Sequence, residues 1–171
     1  MMTRQSLRAD HIALLVGAGG MCLFLGALGV QYIGGIPPCE MCHWQRWAHI
    51  GAAVTGIVAV TLAKDDKTAR GLAWFAILFV LTSGLIGAYQ TGMEYHLLPG
   101  PAACSGHRYV LGSSGPPPEV QCDVVAWQVF GISMASWNAI CSFLITALGI
   151  FGLSKTAASQ DGNALGQGNA A

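Results

Sequence analysis

Charge is scarce in this chain. Only 9% of its 171 residues are Asp, Glu, Lys or Arg, whereas an average soluble domain carries about 25%. A disordered chain combines low hydrophobicity with high charge, so a composition with 53% hydrophobic residues excludes disorder for most of the chain. The formal net charge is +0 and no basic stripe is present to neutralise phosphates, which argues against nucleic acid as a partner.

Four long windows contain no charged residue at all: 11–39, 47–63, 71–93 and 124–154. A membrane-spanning helix needs about 20 predominantly apolar residues. The alternative is a soluble protein, but so small a soluble domain rarely buries four uncharged helices on every side. We therefore predict an all-α fold, an integral membrane four-helix bundle that forms one domain over residues 1–155. Its spans are expected near 12–33, 43–63, 71–91 and 131–153.

The first span is expected to stay in the mature protein. Its basic start is also typical of a cleaved signal peptide, but no A-x-A cleavage site follows the apolar run. Small residues at four-residue spacing favour close packing of this span and of the third one. These pairs are Ala13 with Gly17, and Gly84 with Ala88.

Lysine and arginine are unevenly divided between the two ends of the predicted spans. Six of the eight fall on one side: Arg4, Arg8, Lys64, Lys67, Arg70 and Lys155. Because loops rich in Lys and Arg stay in the cytoplasm, we expect both termini to be cytoplasmic and the loops 34–42 and 92–130 to be periplasmic. The C-terminal tail 156–171 is rich in Ala, Gly, Asn and Gln and is predicted to be disordered.

The six cysteines divide into two groups. Cys22 and Cys141 fall inside predicted spans, where a buried thiol behaves as a small apolar residue, and we assign them no role. The other four fall in the two outer loops: Cys39 and Cys42 in the first, Cys104 and Cys122 in the second. Structural disulfides are one interpretation, and a ring in the second loop would contribute about 3 kcal/mol. The first pair forms a C-x-x-C motif, which is more typical of a reactive dithiol.

Arg46 follows this C-x-x-C motif at a depth where charge is unusual. In a helix that starts at or just before Cys42, the residues Cys42, Arg46 and His49 lie on one stripe. The positive charge would favour the Cys42 thiolate and would bind an electron-rich oxygen of an acceptor. An interfacial anchor beside two tryptophans is the alternative role for Arg46. A lipid-soluble acceptor suits this depth, and a quinone is the obvious candidate.

The sequence around the first cysteine pair resembles a known family. Pro38-Cys39-Glu40-Met41-Cys42 is followed four residues later by Arg46 and then by the second outer-loop pair. Together with four spans, these motifs are similar to the bacterial disulfide bond formation protein B (DsbB) family over about residues 10–153. Gln31 falls where that family has a glutamine near its quinone. Three further segments look like its shorter members: 94–96, 99–104 and 122–138.

The resemblance implies a thiol:quinone oxidoreductase of the bacterial inner membrane, with its active cysteines on the periplasmic side. Cys104 would form a mixed disulfide with a periplasmic DsbA-like protein of thioredoxin fold, at the expense of a Cys104–Cys122 disulfide. Cys122 would then exchange with Cys39 and release the Cys42 thiolate beside the quinone. The quinone, ubiquinone or menaquinone, would pass electrons to the respiratory chain.

The resemblance and the sequence together suggest four quinone contacts: Arg46, Gln31, His49 and His96. Glu40 is unfavourable for this chemistry, because its negative charge beside the dithiol of Cys39 and Cys42 opposes thiolate formation. The second loop has only 17 residues between its cysteines, and its one candidate for a helix lying along the membrane is Val124–Phe130.

Two other functions compete with this one. Cys39-x-x-Cys42-His43 is also the attachment pattern of a c-type haem, with Met41 or Met93 as a further axial ligand, which would make the protein a membrane cytochrome. A metal site is the second rival. Its ligands would come from the cysteines and from four histidines, although their spacings match no zinc signature: His43, His49, His96 and His107.

Overall fold

A computed structural model describes residues 8–101, 104 and 121–168, with side chains in the last helix as far as Ala157. Four helices dominate the fold: α1 (Ala9–Tyr32), α2 (Glu40–Leu62), α3 (Asp66–Glu94) and α4 (Met134–Gly168). Each of the four predicted spans lies within or overlaps one helix. The helix α1 packs against the other three, and α3 packs against α2 and α4, as in a bundle.

Three of these helices are long and apolar enough to cross a membrane: α1, α3 and the part of α4 from Met134 to Ala157. The helix α2 is not among them, because polar side chains crowd its first three turns. These side chains belong to Glu40, His43, Gln45, Arg46 and His49. The polar turns also carry most of the chemistry described below.

The fold departs from the prediction in the second outer loop. Residues 124–127 form no helix, so the candidate helix at Val124–Phe130 is wrong. Instead, β1 (Gln128–Val129) pairs antiparallel with β2 (Ile132–Ser133). Phe130 and Gly131 connect them with positive φ angles of 54° and 76°, as a two-residue hairpin requires. The regular secondary structure of the described residues is therefore helical apart from one short hairpin.

The helix α4 differs from its prediction at both ends. It begins at Met134 rather than near residue 131, because the hairpin takes up the first residues of the apolar window. It continues to Gly168, into the tail 156–171 for which composition predicts disorder. Alanine and glutamine in this tail are good helix formers, and no proline follows Pro118 to stop the helix.

Small residues bring α1 and α2 close together. A Cβ atom on Gly17 would lie 2.7 Å from the carbonyl oxygen of Ala52, and one on Gly56 would lie 2.7 Å from that of Ala13. The predicted Ala13 and Gly17 pair is therefore confirmed as a contact surface. Gly84 packs against Ser142 of α4, but Ala88 is exposed, so the second predicted pair contributes through its glycine only.

Candidate active site

All four outer-loop cysteines meet at one end of the bundle. Cys39, Cys104 and Cys122 are buried in one cluster, and Cys42 packs against it. Met41 and Met93 complete the cluster with their thioether side chains. Two cysteine pairs that are far apart in sequence are thus packed together in one cluster.

Cys104 and Cys122 form a disulfide. The backbone N–H of Cys122 also donates a hydrogen bond to the carbonyl oxygen of Cys104 at 2.8 Å. Cys122 is fully buried and Cys104 is nearly so. This pair therefore lies against the first cysteine pair rather than at the surface of the loop.

Cys39 and Cys42 are free thiols at the start of α2. Cys39 is the N-cap residue, and its Sγ accepts a hydrogen bond from the backbone N–H of Cys42 at 3.3 Å. The two sulfur atoms are 2.6 Å apart. The start of a helix favours negative charge, so this position helps the pair to carry one thiolate.

The two thiols differ in pKa. Both cysteines lie before the predicted membrane span 43–63, at the start of α2. The hydrogen bond from Cys39, together with the charge of Arg46, lowers the pKa of Cys42 below its ordinary value. The same hydrogen bond, with burial, raises the pKa of Cys39 above its ordinary value. In the reduced pair, Cys42 is therefore the thiolate and Cys39 keeps its proton.

Arg46 is held between α2 and α1. Its Nη1 donates to Oε1 of Gln31 at 2.5 Å, and its Nη2 donates to the carbonyl oxygen of Ala27 at 3.1 Å. Its Nε is buried and has no hydrogen-bond partner within residues 8–101, 104 and 121–168. The structure thus brings together Arg46 and Gln31 through a side-chain hydrogen bond.

A cavity of about 230 Å³ lies beside the first cysteine pair. Its lining is mostly apolar, and Cys39, Cys42 and Arg46 contribute to its wall. The helices α1 and α4 touch where Gly19 meets Ile145, and beyond this contact the cavity occupies the space between them. Cys22 on α1 and Cys141 on α4 both line this space, although neither was assigned a role from the sequence.

His49 also lines the cavity, in a buried polar network that joins three helices. Its Nε2 lies 2.8 Å from Oδ1 of Asn138 on α4 and 2.9 Å from Oγ of Ser83 on α3. Its Nδ1 is buried without a hydrogen-bond partner in the part of the chain that the structure describes. Gly20 leaves room for the ring, because a Cβ atom there would lie 3.2 Å from Nδ1.

His96 lies outside this arrangement. It follows α3 with a positive φ of 57°, its side chain is exposed, and it is not one of the residues that line the cavity. Of the four quinone contacts considered from the sequence, three therefore lie together: Gln31 beside Arg46, with Arg46 and His49 in the cavity wall.

Sequence analysis missed several polar residues of the site. Gln45 and Gln90 are buried beside the first cysteine pair and bond to each other at 2.8 Å. Glu94, one turn beyond Gln90, lines the cavity with one buried carboxylate oxygen that has no hydrogen-bond partner among the described residues. For Gln90, the available signal was its position within the uncharged window 71–93, since polar groups at such depth are costly.

The two rival sites gain no support. Met41 and Met93 are buried against the cysteines, and His43 is exposed, so these residues do not frame a haem pocket. Within the described ranges, no group of three or more His, Cys, Asp or Glu side chains is arranged to hold a metal ion. His107 lies outside those ranges.

Known relatives match nearly the whole described chain. The sequence model of the family called disulfide bond formation protein DsbB matches residues 9–152. The disulfide bond formation protein B of Aromatoleum aromaticum is 28% identical over 162 residues, which cover 88% of this chain and 97% of that protein. Disulfide bond formation protein B 2 of Pseudomonas aeruginosa is 27% identical over 150 residues, covering 80% and 88%. No solved structure gives a significant match.

Proposed function

Since the chain belongs to the DsbB family of membrane protein-disulfide oxidoreductases, we propose that it reoxidises a periplasmic DsbA-like protein of thioredoxin fold and passes the electrons to quinone. In this proposal α2 crosses the inner membrane together with the other three helices, and both termini are cytoplasmic. The cysteine cluster then lies on the periplasmic side. The lipid bilayer and the quinone pool of the respiratory chain are its other partners.

One observation carries the proposal. Both cysteine pairs are packed in one cluster, and Cys39 and Cys42 of this cluster also line an apolar cavity. The Cys104–Cys122 disulfide, at which electrons would enter, is therefore packed beside a dithiol that borders a space suited to a lipid-soluble acceptor. A purely structural pair of disulfides needs no cavity of this kind.

The first exchange takes place at the second cysteine pair. A thiolate of the soluble partner attacks Cys104 and forms a mixed disulfide, and the S–S bond to Cys122 breaks. The second thiol of the partner then attacks the partner's sulfur atom in that mixed disulfide, and Cys104 leaves as a thiolate. The partner leaves with a disulfide, and Cys104 and Cys122 are left as a dithiol, so that two electrons and two protons have been transferred.

The second exchange moves these electrons to the first pair. The thiolate of Cys122 attacks Cys39 in the Cys39–Cys42 disulfide, and Cys42 leaves as a thiolate. Cys42 is the better leaving group of the two, because the lower pKa makes its thiolate the more stable one. Attack by Cys104 on Cys122 then restores the second disulfide and frees Cys39.

The residues around the cavity fit a quinone. The cavity is mostly apolar, and Cys39, Cys42 and Arg46 line it, so that a guanidinium suited to a carbonyl oxygen stands in its wall. Arg46 would bind the head group, and Gln31 would hold Arg46 in place. When bound, a quinone would supply a two-electron acceptor for the dithiol of Cys39 and Cys42. His49 lines the same cavity and is proposed as a further contact, whereas the exposed His96 stays a prediction from sequence without a contact to support it.

Purified protein in lipid nanodiscs tests this function directly. A reduced thioredoxin-fold partner is added with a soluble quinone analogue, and reduction of the quinone is followed by its ultraviolet absorbance. We expect turnover with the parent protein and none with Cys104→Ser. The Cys104→Ser protein should still exchange Cys39 and Cys42 with dithiothreitol, which shows that it is folded. Turnover that survives Cys104→Ser would contradict the proposed route of electrons.

The number of free thiols provides a second check. Alkylation under denaturing conditions should label two cysteines in the oxidised resting protein, Cys22 and Cys141, and all six after reduction. Six labelled cysteines without a reductant would rule out a disulfide oxidase.

A further inference from the structure

Gln90 on α3 faces both sulfur atoms of the first cysteine pair. Its Nε2 lies 3.5 Å from Sγ of Cys39 and 3.9 Å from Sγ of Cys42. The side chain is 5% exposed, so water does not compete for its amide. Sulfur is a large atom, and both distances are compatible with weak N–H···S hydrogen bonds.

The orientation of this amide is set by a second glutamine. Nε2 of Gln45 donates to Oε1 of Gln90 at 2.8 Å, and Gln45 is itself 7% exposed. A carboxamide has one acceptor oxygen and two N–H donors. With its oxygen turned towards Gln45, Gln90 presents its N–H groups to the sulfur atoms. Gln45 lies on α2 between Cys42 and Arg46, so the same helix carries the thiols and the residue that orients their donor.

We propose that Gln90 is a positioning residue, oriented by Gln45, that stabilises the reduced Cys39–Cys42 pair through N–H···S hydrogen bonds and thereby makes its disulfide a stronger oxidant. The proposal deepens the proposed function, because it concerns the pair that receives electrons from Cys122. It adds a neutral donor on α3 to the charge that Arg46 supplies from α2.

The physical reason lies in the difference between a thiolate and a disulfide as acceptors. A thiolate carries a negative charge, and a hydrogen bond to a charged acceptor is about twice as strong as one between neutral groups. A disulfide sulfur carries no charge and accepts weakly. The amide of Gln90 therefore favours the reduced pair, in which Cys42 is ionised, over the oxidised pair. The same hydrogen bond contributes to the low pKa of Cys42.

The test measures the redox equilibrium of the first pair alone. The second pair is removed by Cys104→Ser and Cys122→Ser, and the remaining disulfide is equilibrated with mixtures of reduced and oxidised dithiothreitol. After an acid quench, maleimide labelling gives the fraction of reduced Cys39 and Cys42. Gln90→Met keeps the volume and removes the amide, and we expect it to shift the equilibrium about tenfold towards the disulfide, which is about 30 mV for two electrons. Gln90→Glu should shift it further, because a carboxylate repels the thiolate.

Two additional variants separate this role from packing. Gln45→Met leaves Gln90 in place but removes the donor that holds Oε1 of Gln90. This variant should shift the redox equilibrium towards the disulfide by less than Gln90→Met does. The double variant should match Gln90→Met, because Gln45 acts only through Gln90. Thr91→Val, in the next position of α3, is the matched control. The hydroxyl of Thr91 bonds to Gly87 and Ser136 rather than to the cysteines. The redox equilibrium of the first pair in Thr91→Val should therefore equal that of the parent.

A pH profile gives a readout that a packing role would not change. In the reduced protein, the midpoint for alkylation of Cys42 should move to higher pH in Gln90→Met and should stay unchanged in Thr91→Val. The proposal is overturned if Gln90→Met and Gln90→Glu both stay within twofold of the parent equilibrium constant and keep its pH midpoint. Neither quinone nor the soluble partner takes part in this experiment, so its outcome is independent of whether the parent reduces quinone.

Discussion

Arg46 on α2 and Gln31 on α1 are joined by a hydrogen bond of 2.5 Å from the guanidinium Nη1 to the amide Oε1. The two residues are 15 positions apart in the chain and lie on neighbouring helices. The contact turns an isolated arginine into a fixed donor at the cavity wall. It also connects a glutamine near the end of α1 to an arginine that lines the cavity.

Replacing Arg46 tests the proposed quinone contact. Arg46→Ala should raise the KM for quinone at least about tenfold, because a hydrogen bond to a charged group contributes about 1.5–3 kcal/mol and about 1.4 kcal/mol corresponds to tenfold. Gln31→Leu should have a smaller effect in the same direction, since the charge remains. Steady-state quinone reduction in nanodiscs measures both variants.

Arg70→Ala serves as the matched control for Arg46→Ala. Arg70 lies in the first turns of α3 and bonds to Thr156 at 3.4 Å, at the end of the bundle opposite the cysteines. It should leave the KM for quinone unchanged. If Arg46→Ala also leaves the KM unchanged, Arg46 is only an interfacial anchor.

The reduced protein should show an unusually acidic thiol. Because the hydrogen bond from Cys39 lowers the pKa of Cys42, its thiolate persists to a lower pH than that of an ordinary cysteine, which is mostly protonated below about 8.5. As the pH is lowered, the rate of alkylation of Cys42 by iodoacetamide should therefore fall by half at a lower pH than the rate for glutathione. Mass spectrometry of the modified peptide follows the rate, with glutathione as the reference thiol.

A midpoint near pH 8 to 9 for Cys42 would contradict the charge distribution described for the pair. If Cys39 rather than Cys42 were the acidic member, the same peptides would reveal it. The site assignment would then need to be reversed.

The two ends of α3 provide a test of membrane orientation. Asp66 is exposed at its start and Tyr95 is exposed just after its end. In intact cells, a membrane-impermeant maleimide should label Tyr95→Cys on the periplasmic side. Asp66→Cys should react only after the inner membrane is permeabilised. The reverse pattern would place the active cysteines in the cytoplasm and would exclude the proposed partner.

The close contact between α1 and α2 predicts a stability difference between two glycines of α1. Gly17→Ala places a Cβ atom 2.7 Å from a backbone oxygen of α2, and such overpacking costs about 1–3 kcal/mol. Gly29→Ala meets nothing within 4 Å and should be neutral or slightly stabilising, because alanine is the better helix former. Thermal unfolding in detergent measures both, and equal midpoints would mean that the helices can separate without loss.

The predicted spans came close to the observed helices because each rests on a local property. The absence of charge over 20 or more residues determines where a helix can be buried in lipid, and it needs no knowledge of the partner helices. The start of α4 was misplaced for an equally local reason. Apolar residues such as Val129 and Ile132 suit a short strand as well as a helix, and the glycine between them permits the hairpin.

The glutamine pair shows where such reasoning stops. Gln45 and Gln90 each appear as a polar residue in a helix, and nothing in the spacing of either one indicates the other. Their contact depends on how α2 and α3 pack, and that packing is decided by side chains along the whole interface. The same is true of Cys22 and Cys141, which look like ordinary apolar thiols until the cavity between α1 and α4 is seen.

The amino-acid sequence by itself determined four apolar segments, a C-x-x-C motif with an arginine one turn later, and a second cysteine pair in another loop. These are features of neighbouring residues, and composition and spacing are enough to recognise them. Only the tertiary structure decided that the two pairs meet in one buried cluster, that a cavity opens beside them, and that Gln90 reaches their sulfur atoms. Contacts between distant parts of a chain follow from the packing of whole helices, which no short stretch of sequence contains.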